Sequence, residues 1–311
     1  MGNTVILKGS EFSPATYWAI ASVLHAAGLP NGCLNTIYHD SKDAAAVTNQ
    51  LISSPIIKKI NFTGSTKVGS IIASLAGKHL KPVLMELGGK ASSIVCADAD
   101  LENAAFQCAL GAFLHSGQIC MSTERILVNK SVAGPFKKAL TTSMDRLFGQ
   151  PGSEAPILIN KQSVLKNKEL LKDALDKGAK VLYGDAQHND SSLTRMRPVI
   201  VEGVLEEMDL HHIESFGPMV SVYEVEDDET ALRIANDTEY GLTGAVFTKD
   251  LRRGLRIAKQ IETGAVHINS MTIHDEVTLP HGGAKKSGYG RFNGRQGLEE
   301  WVRTKTITFD N

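Results

Sequence analysis

The 311 residues carry 33 Lys and Arg against 34 Asp and Glu, a formal net charge of −1, with 42% apolar residues. So even a balance leaves no basic surface for nucleic acid, and no apolar run approaches the roughly 20 residues that span a bilayer. The four cysteines, Cys33, Cys96, Cys108 and Cys120, form no C-x-x-C pair and have no histidine at zinc-like spacing, which argues against a disulfide scaffold and a metal site. Met1 to Ser10 have neither signal-peptide nor transit-peptide character. The expectation is a cytoplasmic protein with one sizeable core or two smaller ones.

In chain order, Val5–Leu7 reads as a strand. Ser13-Pro14 offers an N-cap and a first-turn proline for a helix that Gly28-Leu29-Pro30 stops after Ala27. Leu34–Tyr38 is a strand, Ala44–Ser53 a helix, Ile57–Phe62 a strand, Ser65–Ala76 a helix and Val83–Leu87 a strand. Strands joined by helices of this length call for a parallel sheet with right-handed crossovers, so this part is doubly wound α/β. A second α/β unit follows. Its strands are expected at Ile94–Cys96, Arg125–Val128, Val199–Val201, Val220–Val225, Ala245–Thr248 and Ala265–Ile268. Its helices are expected at Leu101–Leu114, Val132–Leu147, Lys161–Lys177, Glu229–Ala235 and Leu251–Gln260, with a polar surface loop at Asp185–Ser192. The chain opens directly on a strand, an abrupt start for an open sheet.

Three places could carry chemistry. Phe62-Thr63-Gly64-Ser65-Thr66-Lys67-Val68-Gly69 lies at a strand-to-helix junction, where small residues and a helix N-terminus suit an anion, yet it is neither G-x-G-x-x-G nor a P-loop. Taken alone, a plain tight βα turn is the reading to prefer. Glu86-Leu87-Gly88-Gly89-Lys90 puts a carboxylate at the carboxyl end of a strand, where ligands gather in open α/β sheets. Desolvated by Leu84 and Leu87, Glu86 is a candidate general base. Gly117-Gln118-Ile119-Cys120 follows a helix and precedes what reads as another, so exposed N–H groups would activate the Cys120 thiol. Cys96 and Cys108 fit ordinary core cysteines, and Cys33 sits in a loop. The histidines (His25, His39, His115, His211, His212, His267, His274 and His281 among them) are scattered, and a Cys–His pair of Cys120 with His115 or His267 has no support beyond presence.

Together the fragments resemble one family. Lys8-Gly9-Ser10-Glu11, F-T-G-S-T at 62–66, E-L-G-G-K at 86–90, G-Q-I-C at 117–120, E-S-F-G-P at 214–218, N-D-T-E-Y-G-L at 236–242 and K-S-G-Y-G-R at 286–291 are similar to aldehyde dehydrogenases, in order and spacing. The stretch His267 to Glu276 is similar to the branch acting on salicylaldehyde, vanillin and benzaldehyde.

The resemblance implies a partial NAD-binding domain over 1–87 and an α/β catalytic domain over 88–285. A C-terminal segment, 286–311, would return to the cofactor domain and supply an oligomerisation strand, so a homo-oligomer is implied. It also implies NAD-dependent oxidation of an aldehyde, through attack by Cys120 and a thioester that water activated by Glu86 hydrolyses. The Cys120 N–H would give one oxyanion donor. Gly64, Ser65 and Gly69 would line the pyrophosphate site, Lys8 and Glu11 the adenosine ribose, and Glu214 and Phe216 the nicotinamide side. A carboxylate at Glu11 favours NAD over NADP. The acylating branch, which uses coenzyme A in place of water, is disfavoured by the intact Glu86. The family carries a Pro-Trp-Asn motif before the first strand here, and its asparagine is the second oxyanion donor. This sequence contains no Pro-Trp-Asn, so the expectation is an N-terminally truncated member. Loss of one such donor typically costs about 10²–10³ in kcat, and a catalytically impaired or inactive remnant is the alternative.

Overall fold

The computed structural model describes residues 1–149, 154–185 and 192–310, and the expected loop at 185–192 lies outside these except for its two ends. The chain opens with β1 (Val5–Lys8), α1 (Pro14–Ala26) and β2 (Leu34–Ile37). Pro14 stands at the start of α1 as expected, but Ser13 makes no side-chain cap. Next come α2 (Ala44–Ser53), β3 (Ile60–Thr63), α3 (Thr66–Lys78) and β4 (Val83–Glu86). β3 begins three residues later than its apolar run suggests, because Ile57 N–H closes a turn onto the Ser54 carbonyl (3.2 Å).

These four strands were expected in a single ladder, and they form two. β1 pairs with β2 and β3 with β4, both in parallel, and no described strand bridges the pairs. The β3–β4 pair has its own core of Ile52, Ile72, Ala76, Met85 and Leu87. Around β1 and α1 the only buried apolar side chains are Ala21 and Leu34, while Trp18 is 65% and Val23 67% exposed.

The second unit runs β5 (Ala91–Val95), α4 (Leu101–Phe113), β6 (Thr123–Asn129), α5 (Ala133–Phe148), α6 (Lys161–Asp176), β7 (Lys180–Tyr183) and β8 (Val199–Glu202). It continues with α7 (Asp209–His212), β9 (Met219–Val225), α8 (Asp228–Asn236), β10 (Tyr240–Gly241), β11 (Thr243–Phe247), α9 (Leu251–Ala258) and β12 (Ala265–Ile268). Seven strands form one sheet in the order β12-β11-β5-β6-β9-β8-β7, parallel except for the β7–β8 pair. The inner strands β5, β6, β8, β9 and β11 are buried on both faces along almost their whole length, which explains the apolar runs they carry. Two large apolar clusters form there, one including Leu127, Val201 and Tyr223, the other Ile126, Phe136 and Val220.

The chain then turns back through β13 (Ala284–Lys285), β14 (Gly288–Tyr289) and α10 (Gly294–Glu299). β13 pairs antiparallel with β10, and β14 with β4, setting Gly288 opposite Glu86. Gly288 has φ +115°, and a Cβ there would come within 2.1 Å of the Met85 carbonyl, so only glycine allows this approach. Among the described residues no helix is long and apolar enough to cross a membrane.

Arg125, on β6, is fully buried. Its guanidinium donates to the carbonyls of Ile234 (2.8 Å), Ala235 (2.9 Å) and Asp237 (3.2 Å) at the end of α8. A cation there complements the helix dipole and satisfies carbonyls that a helix end leaves unpaired. Replacing it by Arg125→Met leaves three carbonyls without their donor, that of Ala235 fully buried, and the expected loss is about 3 kcal/mol. Urea unfolding measures this as a lower midpoint at unchanged slope.

Candidate active site

α4 ends at Phe113, and the next turn is built from left-handed backbone: His115 (φ 49°), Ser116 (φ 60°) and Gly117 (φ 68°) follow one another. At Gly117 a Cβ would lie 2.0 Å from the Gly217 carbonyl, so the turn can approach the 214–218 loop only as glycine. The chain then leads through Cys120 directly into β6. Cys120 therefore precedes a strand, and the expected helix N-terminus behind its thiol does not exist. Burial, and then the carboxylates of Glu86 and Glu214, push the thiol up to about 12, against the pull of the Cys120 and Met121 N–H groups.

Glu86 ends β4 between β3 and β14, with its carboxylate buried. Cys120 Sγ faces Glu86 Oε1 at 3.9 Å, and His281 Nε2 lies 2.5 Å from the same oxygen. The backbone links this point to the glycine turn, since Gly64 N–H donates to the Glu86 carbonyl (3.1 Å). Ser65 caps α3, accepting from Val68 N–H (3.4 Å). Gly69 is buried, and a Cβ on it would meet Leu87 at 2.4 Å, so it packs α3 against the strand end. Lys8 and Glu11 pair with each other (3.8 Å) past the end of β1, with no hydrogen bond among the described residues to the Cys120 cluster.

Glu214 comes to the same place from the other side. Its Oε1 accepts the Gly89 N–H (2.7 Å), and its carboxylate fills the space where a Gly88 Cβ would be. Burial raises its pKa to about 7, opposed by that N–H. Phe216 holds a left-handed φ of 48°. This loop hangs on Glu124, whose Oε1 accepts Ser215 N–H (2.9 Å), Ser215 Oγ–H (2.8 Å) and Phe216 N–H (3.1 Å). Lys90 Nζ donates to Glu124 Oε2 (2.8 Å) and to the Ile213 carbonyl (2.7 Å) with no exposed side-chain surface. Burial pulls the Lys90 pKa down, and Glu124 opposes this.

Glu124, His281 and Ser287 escape the sequence reading. Ser287 Oγ donates to the Gly88 carbonyl (2.6 Å) and accepts Gly241 N–H (2.8 Å), tying the K-S-G segment to the 88–89 turn. The available signal was Glu124-Arg125, two charges opening an otherwise apolar strand. Neither His115 nor His267 bonds Cys120; His267 Nε2 is a buried atom without a partner, 5.2 Å by ring centroids from His274. All four cysteines are free, and among the described residues no three His, Cys, Asp or Glu converge as a metal site.

The family described as "Aldehyde dehydrogenase family" matches residues 1–307. A vanillin dehydrogenase of Pseudomonas fluorescens is 43% identical over 100% of this chain and 64% of its own length. A salicylaldehyde dehydrogenase of Pseudomonas sp. strain C18 is 42% identical over 99% of this chain and 64% of its own length. The crystal structure of a salicylaldehyde dehydrogenase from Pseudomonas putida G7 complexed with salicylaldehyde superposes with a TM-score of 0.94. It is 41% identical and covers 100% of this chain and 64% of that one. The chain thus spans about 64% of the length of the curated relatives it matches.

Two outcomes follow. Glu124→Gln leaves the Lys90 ammonium buried beside a neutral amide and is expected to cost about 3–5 kcal/mol, whereas the double change Lys90→Met, Glu124→Leu costs less; chemical denaturation of both variants checks the order. For Cys120, alkylation by iodoacetamide is expected to keep rising through pH 10, with no plateau near the pKa of about 8.5 of a free thiol. Glu86→Gln removes one negative neighbour and should speed alkylation severalfold at pH 9, since one pKa unit is a tenfold change in thiolate.

Proposed function

The chain belongs to the aldehyde dehydrogenase family, and from that premise we propose that it oxidises an aldehyde, of aromatic type, to the carboxylic acid with NAD. The observation that carries the reading is the 3.9 Å approach of the Cys120 thiol to the buried Glu86 carboxylate. The names of the relatives, vanillin and salicylaldehyde dehydrogenases, support the aromatic class.

Cys120 Sγ would add to the aldehyde carbon, its proton passing to solvent, with the Cys120 N–H turned to the new oxyanion. A bound nicotinamide cofactor would supply the hydride acceptor that this oxidation requires. Water would then attack the thioester, with Glu86 taking its proton. The donor set suits such a cofactor. Gly64 and Ser65 open the N-terminus of the thirteen-residue α3, whose N–H groups favour a pyrophosphate. Lys8 and Glu11 are polar and partly exposed, as ribose ligands should be, and the Glu11 carboxylate would repel a 2′-phosphate. Glu214 and Phe216 would hold the nicotinamide ribose and ring. In this reading residues 1–87 bind cofactor, 88–285 carry the chemistry and 286–311 return to the cofactor side.

A second reading, a catalytically impaired form, is favoured by the exposed apolar face around Trp18 and Val23.

With benzaldehyde and NAD, a folded sample is expected to release NADH; Cys120→Ser should abolish this, and Glu86→Gln should give one rapid turnover and then stall. Absence of any aldehyde-dependent NADH from the folded 311-residue chain sinks the first reading, and slow turnover with an intact burst supports the second.

A further inference from the structure

Glu86 meets a second ionisable group that the proposed reaction leaves unused. His281 Nε2 lies 2.5 Å from the very oxygen that the Cys120 thiol faces. Both side chains are only 9% exposed, so little water competes with the contact. The imidazole is held there by its own backbone. His281 and Phe292 exchange N–H···O bonds of 2.8 and 2.6 Å, an isolated antiparallel bridge closing the 281–292 segment. Inside that segment Gly288 pairs with Glu86 itself, and Arg291 Nη1 ties down the carbonyls of Gly283 (3.1 Å) and Gly290 (2.7 Å). Glu86 and its partner are therefore fixed from the same strand turn, although 195 residues separate them.

We propose that His281 is the positioning residue of Glu86, holding carboxylate oxygen Oε1 toward Cys120 and leaving Oε2 for the hydrolytic water. This rests on the aldehyde-oxidation reading. Among the described residues no protein donor engages Oε2. The hydrogen bond to Glu86, with the charges of Glu86 and Asp275, raises the His281 pKa above its ordinary value, while burial and Arg291 oppose it. His267, ranked with His274 beside it, is held low by burial and by the two neighbouring imidazoles. The sign follows. Below the raised value an imidazolium faces the Glu86 carboxylate; as pH climbs through that value the charge is lost and only the hydrogen bond remains.

In the hydrolytic step an O–H bond of water breaks, its proton going to Glu86 Oε2 and its oxygen bonding to the thioester carbon. The C–S bond then breaks, the electron pair returns to Cys120 sulfur, and the proton passes from Glu86 Oε2 through solvent to that sulfur as the carboxylic acid leaves. His281 keeps its own proton throughout.

The test combines imidazole NMR titration of ring-labelled protein with transient NADH kinetics on His281→Phe, His281→Gln and Glu86→Gln. Glu86→Gln is expected to return the His281 titration toward the ordinary imidazole range. His281→Phe should retain the NADH burst and KM but lower kcat by about 10–100-fold, the usual size of an acid–base contribution. It should also lose the pH step that tracks His281. His281→Gln keeps a donor without the charge, so it should recover most of kcat and not the pH step. If His281→Phe does not fold, the Gln variant and the titration decide alone. A His281 titration indifferent to Glu86→Gln, or an unchanged pH profile without the imidazole, overturns the proposal. No burst in the parent protein with the titration still responding takes down the oxidation reading and leaves the pairing standing.

Discussion

Lys90 and Glu124 form a buried ion pair, with side-chain exposures of 0% and 5%, and each is held by the other and by backbone groups. Lys90 follows the Gly88-Gly89 turn that receives the Glu214 carboxylate, and Glu124 opens the strand that Cys120 leads into. The oxygens of Glu124 that Lys90 does not occupy take up the N–H groups of Ser215 and Phe216. One ion pair thus sets the separation of three chain segments bearing the candidate base, nucleophile and cofactor ligands. An apolar pair of similar volume could fill the space but could not hold two loops by their backbones. The pair is best understood as a device for specificity, with little net stability of its own.

The loops it joins carry unfavourable backbone. His115, Ser116 and Phe216 are non-glycine residues in the left-handed region, each costing on the order of 1–3 kcal/mol. The two stretches meet where Gly117 passes the Gly217 carbonyl, too close for any side chain. Strain of this kind persists only when the surroundings over-determine the geometry, and at Phe216 the Glu124 bonds do so.

Most of the central sheet is legible in the sequence, because β5, β6, β8, β9, β11 and β12 each carry a short apolar run and their helices have recognisable ends. Asp100, Asn160, Asp227 and Asp250, for example, each cap the helix that follows. β13 and β14 are not legible, since two residues carry no period. β7 pairs antiparallel at an edge and carries only Val181, Leu182 and Tyr183 as signal. At the site, Glu86 is legible as a carboxylate closing an apolar strand, while its imidazole partner is not, because local pattern carries nothing about a contact across 195 residues. The setting of Cys120 misleads for a different reason. The left-handed turn before it reverses the chain by backbone conformations that residue propensities do not encode.

The division of the first four strands into two ladders bears on how the molecule breathes. The unit β1–α1–β2 has four-residue strands and almost no buried apolar side chains. Such a unit sits at the low end of the local opening hierarchy, exchanging its amide hydrogens by excursions that leave the seven-stranded sheet intact. Lys8 and Glu11 hang from its first strand. Any ligand gripping them only in the closed form must spend part of its affinity on ordering that unit, so saturation would tighten it by RT ln(1 + [L]/Kd) while the rest of the fold gained little. The affinity for adenosine would then be a thermodynamic property of one small foldon, tunable by changes on α1 that touch no ligand.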